Sequence, residues 1–247
     1  MPDEQLVAEG AGLSQVERVV DTFVAPSKTF TDILRSANCW LPLVLMVVLT
    51  LAFSFAVDKK IGYRAVAETN VAHSPAQQDR MQNLTPEARE HAMEMSANIT
   101  RIIAYGSFVF ILVIILIHTL LLWASFNFVL GAKATFPKVF AVITFAGLPK
   151  IFVSILTIAL LFAGVGTDNF DLNNPVGTNL GYFLSSQSRA VQVAGSFFDV
   201  FGLWSLILLV LGMSILSGKK MAASAIVVVG WWVFGLLVLT GFTAAVS

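Results

Sequence analysis

Charged residues are scarce in this 247-residue chain: Asp, Glu, Lys and Arg make up 12% of it, about half the share that is usual in a soluble domain. Their formal sum is zero, so no basic surface indicates a nucleic-acid partner. The single cysteine, Cys39, excludes an internal disulfide framework and any metal site built from several cysteines. The sequence contains no nucleophile elbow, zinc-protease motif or phosphate-binding loop. We therefore expect no enzymatic activity, no cofactor and no metal.

Apolar residues are abundant instead, at 57% of the chain. They form five long stretches without a charged side chain, or with a single lysine in one case: residues 40–57, 102–130, 139–163, 200–217 and 221–246. The apolar core of a bilayer is ~30 Å thick and is spanned by ~20 residues of α-helix. The sequence therefore predicts an all-α integral membrane bundle of five transmembrane helices, spanning residues 39–247.

The lysines and arginines predict the orientation of this bundle, because short basic connections remain in the cytoplasm. The connections 131–138 and 218–220 each carry two lysines. Both fall on the same side as the tail, residues 1–38, which carries Arg18, Lys28 and Arg35. We expect a cytoplasmic N-terminus and a C-terminus outside. The connections 58–101 and 164–198 then lie outside, and the first of these balances its basic residues with acidic ones.

The tail carries an apolar stripe at helical spacing, whose members include Val16, Val19, Val20, Phe23 and Phe30. A Ser-x-x-Glu capping box at residues 14–17 predicts the start of the helix, and a proline at position 26 fits the first turn of a second helix after a bend. Such a stripe predicts an amphipathic helix in the cytoplasmic membrane interface. The same pattern also fits a helix packed against the protein's own bundle, and the spacing alone does not separate the two.

The connection 58–101 is predicted to be helical. Thr85, Pro86 and Glu87 form a helix-start signal, and this helix is expected to continue through Arg101 into the second crossing. One of its faces carries Glu87, Glu90, His91 and Glu94. Those side chains could ligate a divalent metal. We favour a solvated face with neighbouring arginines, because nothing else in the chain supplies matching ligands.

Three ionisable residues lie within or beside the crossings: His118, Lys150 and Asp199. Counted along their helices, Lys150 and His118 each lie ~18 Å from the inner end, and Asp199 opens the fourth crossing near the outer face. Pro149 is expected to interrupt the third helix. One hypothesis is a structural Lys150–Asp199 pair with His118 bonded to a hydroxyl such as that of Thr119. The other is a transport site, because transporters place solutes at interrupted helices.

The order of short motifs resembles a known family. The motifs are APSKTF (25–30), WLPL (40–43), GAKATF (131–136), Leu148-Pro149, NLGYFL (179–184) and FDVFGLWS (198–205). Together they resemble the Yip domain family of Ypt/Rab-GTPase-interacting multi-pass membrane proteins, and its prokaryotic branch in particular. The resemblance implies five crossings with a cytoplasmic N-terminus, here in a prokaryotic cytoplasmic membrane. Eukaryotic relatives bind small GTPases and one another, but the tail of this chain is short, which argues against GTPase binding.

The expected function is therefore that of a non-enzymatic membrane protein that organises membrane partners or lipids, itself included as a homo-oligomer. The alternative is a transporter or channel for a small solute or ion that uses His118, Lys150 and Asp199.

Overall fold

The computed structural model describes residues 12–72, 74–167, 170–184 and 186–246. Within these ranges the chain is helical, and five helices are long and apolar enough to cross a membrane. The predicted class, an all-α membrane bundle, is confirmed. The α-helices are α1 (Gln15–Val24), α2 (Pro26–Arg35), α3 (Trp40–Lys60), α4 (Tyr63–Ala72), α5 (Pro75–Gln82), α6 (Pro86–Ala124), α7 (Phe136–Ala146), α8 (Ile151–Phe162), α9 (Arg189–Ser196), α10 (Val200–Ser217) and α11 (Met221–Val246).

The first two helices form a hairpin, with only Ala25 between them. The predicted capping box is present: the Ser14 hydroxyl accepts a hydrogen bond from the Glu17 backbone N–H (3.2 Å), and the Ser14 N–H donates to the Glu17 carboxylate (2.7 Å). Pro26 occupies the first turn of α2, as predicted, because the backbone N–H that proline lacks would have no helical partner there.

The long helix α6 joins the predicted outer connection to the second crossing without a break. Thr85 caps it by accepting a hydrogen bond from the Ala88 N–H (3.3 Å), and the helix then continues for 39 residues. It ends in a π-helical turn, Ser125–Val129. The predictions of its start and of its continuity through Arg101 are both confirmed.

The third crossing is interrupted at the predicted proline. Helix α7 ends at Ala146, a 3-10 turn covers Leu148–Lys150, and α8 begins at Ile151. Pro149 supplies no backbone donor, and its ring conflicts with an uninterrupted α-helix. The consequence is a change of helical geometry near the middle of this crossing.

The main core surrounds α7, which contacts α2, α6 and α10. Half of the most apolar window of the third crossing is buried, compared with 11% for α11. A second, smaller apolar cluster joins α3, α4 and α8 to the following loop, and its buried members are Ala56, Val57, Tyr63, Val66, Leu161 and Phe170. The bundle therefore has one central helix and several helices whose apolar faces point outward.

Candidate functional site

The first part of the candidate site is the interruption between α7 and α8. Lys150 is the last residue of the 3-10 turn. Its side chain is exposed at the surface of the isolated bundle. Among the described residues it forms no ion pair. A cation without a partner inside a membrane protein is rare and indicates a functional role.

A second interruption lies between α9 and α10. Asp199 caps α10 by accepting a hydrogen bond at Oδ1 from the Gly202 N–H (2.7 Å). The chain just before this helix runs beside an earlier segment, since Asn179 and Asp199 form an antiparallel bridge and the Val200 N–H donates to the Thr178 carbonyl (3.0 Å). These contacts fix the position of the Asp199 carboxylate at the start of the helix.

The residues beside Asp199 pack on α11, and the outer-face position of Asp199 stays a prediction. The rings of Phe197 and Phe198 pack on Trp232, with centroid distances of 5.9 and 5.5 Å. Trp232 is in the middle of α11, about 17 Å from its first residue and about 21 Å from its last. The start of α10 therefore packs against the middle of α11. Periodicity along the chain does not show this contact, because it does not show where one helix meets another.

The two interruptions face each other. The 3-10 turn at Leu148–Lys150 packs against α10. The ring of Phe152, just after this turn, lies 5.4 Å from that of Phe201 and 6.3 Å from that of Trp204. Phe23, at the end of α1, also contacts Phe152 and Trp204, at 5.5 and 5.7 Å. We call Phe23, Phe152, Phe201 and Trp204 the aromatic cluster.

The structure brings the three predicted ionisable residues into one region, but not into contact. Lys150 lies within electrostatic range of both Asp199 and His118. The predicted Lys150–Asp199 ion-pair contact is nevertheless missing from the described chain, and Asp199 caps α10 instead. The predicted His118–Thr119 hydrogen bond is also wrong: the Thr119 hydroxyl donates to the Ile115 carbonyl (2.7 Å), as threonines in helices often do.

The predicted interfacial residues divide into two groups. Val19 and Phe23 pack against the core, and Phe30 is fully buried within it. Val16 and Val20, in contrast, are 64% and 51% exposed. The hairpin is thus packed on the bundle along one side, as the alternative interpretation held, and keeps an apolar row on the other side, as an interfacial helix requires.

Sequence reasoning missed the residue that holds the hairpin together. Arg18 is 1% exposed and forms an ion pair with Asp32, and its guanidinium also donates to the carbonyls of Ser36 (2.9 Å) and Asn38 (2.8 Å). Burial alone would raise the pKa of Asp32, but hydrogen bonds from Arg35 and Arg18 hold that pKa below its usual value. The available signal was an arginine inside the apolar stripe, beside Val19.

The acidic face of α6 has a structural partner. Glu90 accepts two hydrogen bonds from Arg64, at 2.5 and 2.8 Å, in the two-pronged geometry that guanidinium favours. No group of three or more His, Cys, Asp or Glu side chains that could hold a metal ion occurs in the part of the chain that the structure describes. The arrangement fits a solvated face that joins α6 to α4.

Comparison with protein families completes these observations. The model of the Yip1 domain matches residues 20–242, which include all but the last few residues of the five crossings. The chain belongs to the Yip1 domain family. The match agrees with the resemblance found in the motifs, and it makes this Yip1 protein a multi-pass membrane protein. No curated protein and no solved structure matches the chain.

Proposed function

We propose that this Yip1 protein is a non-enzymatic component of a prokaryotic cytoplasmic membrane that organises membrane partners or lipids on its outward faces. The observation that carries the proposal is the exposure of α11. This helix has 26 residues, and 11% of its most apolar window is buried by the rest of the chain. Leu237 and Ile226 are 63% and 76% exposed. Apolar surface of this extent fits lipid chains or another transmembrane helix, a second copy included.

The N-terminal hairpin supports the same role at the end of the bundle where α3 begins. Its valine row is apolar, while the neighbouring Arg35 side chain is 54% exposed. An apolar row beside a basic side chain suits an anionic membrane surface. We expect the hairpin to contact lipid with Val16, Val20 and Val24, which are all exposed.

The packing of the hairpin also argues against GTPase binding through this part of the chain. Phe30 is buried against Gly212 of α10, to the extent that a Cβ atom on Gly212 would lie 2.9 Å from the Phe30 ring. A GTPase would therefore find one face of the hairpin already occupied. Partners that are themselves embedded in the membrane fit the exposed surfaces better.

Affinity purification from native membranes tests this proposal. The wild type is compared with a variant that carries Ile226→Ala and Leu237→Ala on α11. The control variant carries Ile114→Ala and Ile117→Ala, which remove similarly exposed residues of α6. We expect a reproducible set of membrane proteins or an enriched lipid class with the wild type, depleted in the α11 variant and retained in the control.

Two results would contradict the proposal. The first is a wild-type sample that enriches nothing relative to an unrelated five-helix membrane protein. The second is equal enrichment by the wild type and the α11 variant. The alternative function, transport of a small solute or ion by way of His118, Lys150 and Asp199, stays a prediction that flux measurements in proteoliposomes would test.

A further inference from the structure

A cavity of about 270 Å³ lies in the connection that follows α8. Gly164, Phe170, Asp171, Asn174 and Tyr182 are among the residues that line it. Liquid water occupies ~30 Å³ per molecule, so this volume equals about nine waters, which is space for one sugar ring. We infer that the cavity binds a neutral polyhydroxylated ring, which is the chemistry of a sugar or a cyclic polyol. The inference uses neither α11 nor the hairpin, so it does not depend on the organising role.

Asn174 provides a polar group in the wall of this cavity. The residue is 6% exposed, and its Oδ1 is buried and accepts no hydrogen bond from the described residues. Its backbone N–H, in contrast, donates to the Asp171 carbonyl (3.1 Å). A buried polar atom without a partner is costly, and such atoms are rare in folded proteins. A ligand hydroxyl can donate to the amide oxygen and can also accept from the amide NH₂ group.

The charges beside the cavity balance each other. The Asp171 carboxylate accepts hydrogen bonds at Oδ1 from the Asn173 N–H (2.9 Å) and from the Asn173 amide (3.2 Å). Its Oδ2 accepts from the Arg189 guanidinium (3.2 Å). Burial alone would raise the pKa of Asp171, but the hydrogen bonds from Asn173 and the charge of Arg189 hold that pKa below its usual value. Asp171 is therefore ionised and already paired within the chain.

This balance selects a neutral ligand. A metal cation that approaches the Asp171 carboxylate is repelled by the guanidinium of Arg189, and an anion that approaches Arg189 is repelled by Asp171. A hydroxyl group carries no charge, and it both donates and accepts hydrogen bonds. It therefore fits the polar groups of this cavity without disturbing the ion pair.

Aromatic rings complete the lining. Phe170 is 5% exposed and belongs to the smaller apolar cluster, whereas Tyr182 is 44% exposed. The Tyr182 N–H donates to Asn179 Oδ1 (3.0 Å), and the Tyr182 ring meets that of Phe183 at a centroid distance of 5.3 Å. A sugar ring has C–H groups that pack on aromatic side chains, and hydroxyl groups at its edge. Aromatic and amide side chains in one cavity suit these two surfaces.

The test measures binding to the purified full chain in a detergent without a sugar headgroup, so that the detergent does not compete. The free probes are glucose, galactose and inositol, followed by saturation-transfer NMR. The lipid probe is a glucosyl diacylglycerol, compared with the diacylglycerol of the same chains and followed by native mass spectrometry. Calcium and phosphate are the charged comparisons.

The variants are Asn174→Leu and Tyr182→Leu. The matched control is Gln187→Leu, which removes an exposed amide from the same connection. Because Asn174 Oδ1 has no partner among the described residues, Asn174→Leu should leave the midpoint of thermal unfolding unchanged or raise it. Tyr182→Leu carries the comparison if Asn174→Leu does not fold.

We expect at least one ring to bind, with affinity about five- to tenfold lower in each cavity variant, as for the loss of a hydrogen bond or a ring contact. The control should bind as the wild type does. Binding of the glycolipid alone identifies a membrane headgroup as the source, and binding of a free ring alone identifies a soluble sugar or polyol. No binding of any of the four rings, or binding unchanged in both cavity variants, would overturn the inference. Binding of calcium or phosphate that Asn174→Leu abolishes would also overturn it.

Discussion

Removing the guanidinium of Arg18 should loosen the N-terminal hairpin. The substitution Arg18→Met keeps an unbranched apolar side chain but removes the guanidinium. It leaves the Asp32 carboxylate, whose side chain is 11% exposed, with Arg35 as its remaining ion-pair partner. It also deprives the carbonyls of Ser36 and Asn38 of their donor. Breaking a buried ion pair by removing one partner costs about 3–5 kcal/mol. That is a large share of the ~5–15 kcal/mol that stabilises a typical domain.

The assay combines the free energy of unfolding in detergent with amide hydrogen exchange in α1 and α2. We expect Arg18→Met to lower the free energy of unfolding by about 3 kcal/mol or more, or to release exchange protection in the hairpin first. The double substitution Arg18→Met with Asp32→Leu should recover much of the loss, since apolar replacement of a whole buried pair is often neutral.

The control is Arg35→Met. This side chain pairs with the same carboxylate but is 54% exposed, so its loss should cost at most about 1 kcal/mol. Equal effects of Arg18→Met and Arg35→Met would refute the reasoning. Full protection of the hairpin from hydrogen exchange in Arg18→Met would also refute it. The buried guanidinium and its hydrogen bonds would then not be what holds the hairpin together.

Three further predictions follow from particular contacts. Gly212→Leu should destabilise the bundle by about 1–3 kcal/mol in thermal unfolding, because an added Cβ would lie 2.6 Å from Val142; an unchanged midpoint would contradict this packing. Arg64→Gln should change the free energy of unfolding by less than about 1 kcal/mol, since Arg64 and Glu90 are both half exposed. A larger loss would contradict this, because the packing of α4 on α6 would then depend on the pair. Ionised Asp32, whose pKa is lowered in the folded chain, should contribute fully to the free energy of unfolding above its unfolded pKa of ~3.9. This contribution should fall as the pH drops through the lower, folded pKa. Amide hydrogen exchange in the hairpin that does not accelerate in acid, relative to the rest of the chain, would disprove it.

Much of the fold could be predicted because its signals are local. The length of the apolar stretches predicted the membrane crossings. The capping pair Ser14 and Glu17 predicted the start of α1, and Pro149 predicted the interruption of the third crossing. Each depends on residues within a few positions of one another, so that chain periodicity and capping chemistry suffice. The family resemblance also rested on short motifs in order, and the Yip1 match over residues 20–242 supports it.

For the candidate site, the sequence predicted which residues are involved but not how they are arranged. His118, Lys150 and Asp199 were identifiable because ionisable residues are conspicuous in apolar stretches. Their arrangement was not, since it depends on contacts between helices, such as the packing of Phe197 and Phe198 against the middle of α11. The expected ion-pair contact failed for a related reason: a carboxylate at the start of a helix also accepts backbone N–H groups.

The sequence by itself determined that this protein enters the membrane, because a polypeptide without charges over some twenty residues is more stable in lipid as a helix. It also determined where α1, α2 and α6 begin and where the third crossing is interrupted. Only the tertiary structure decided that Arg18 is buried, and that both the hairpin and the turn at Leu148–Lys150 pack against α10. Those features arise from contacts between residues far apart in the chain, and local periodicity contains no information about which distant surfaces will meet.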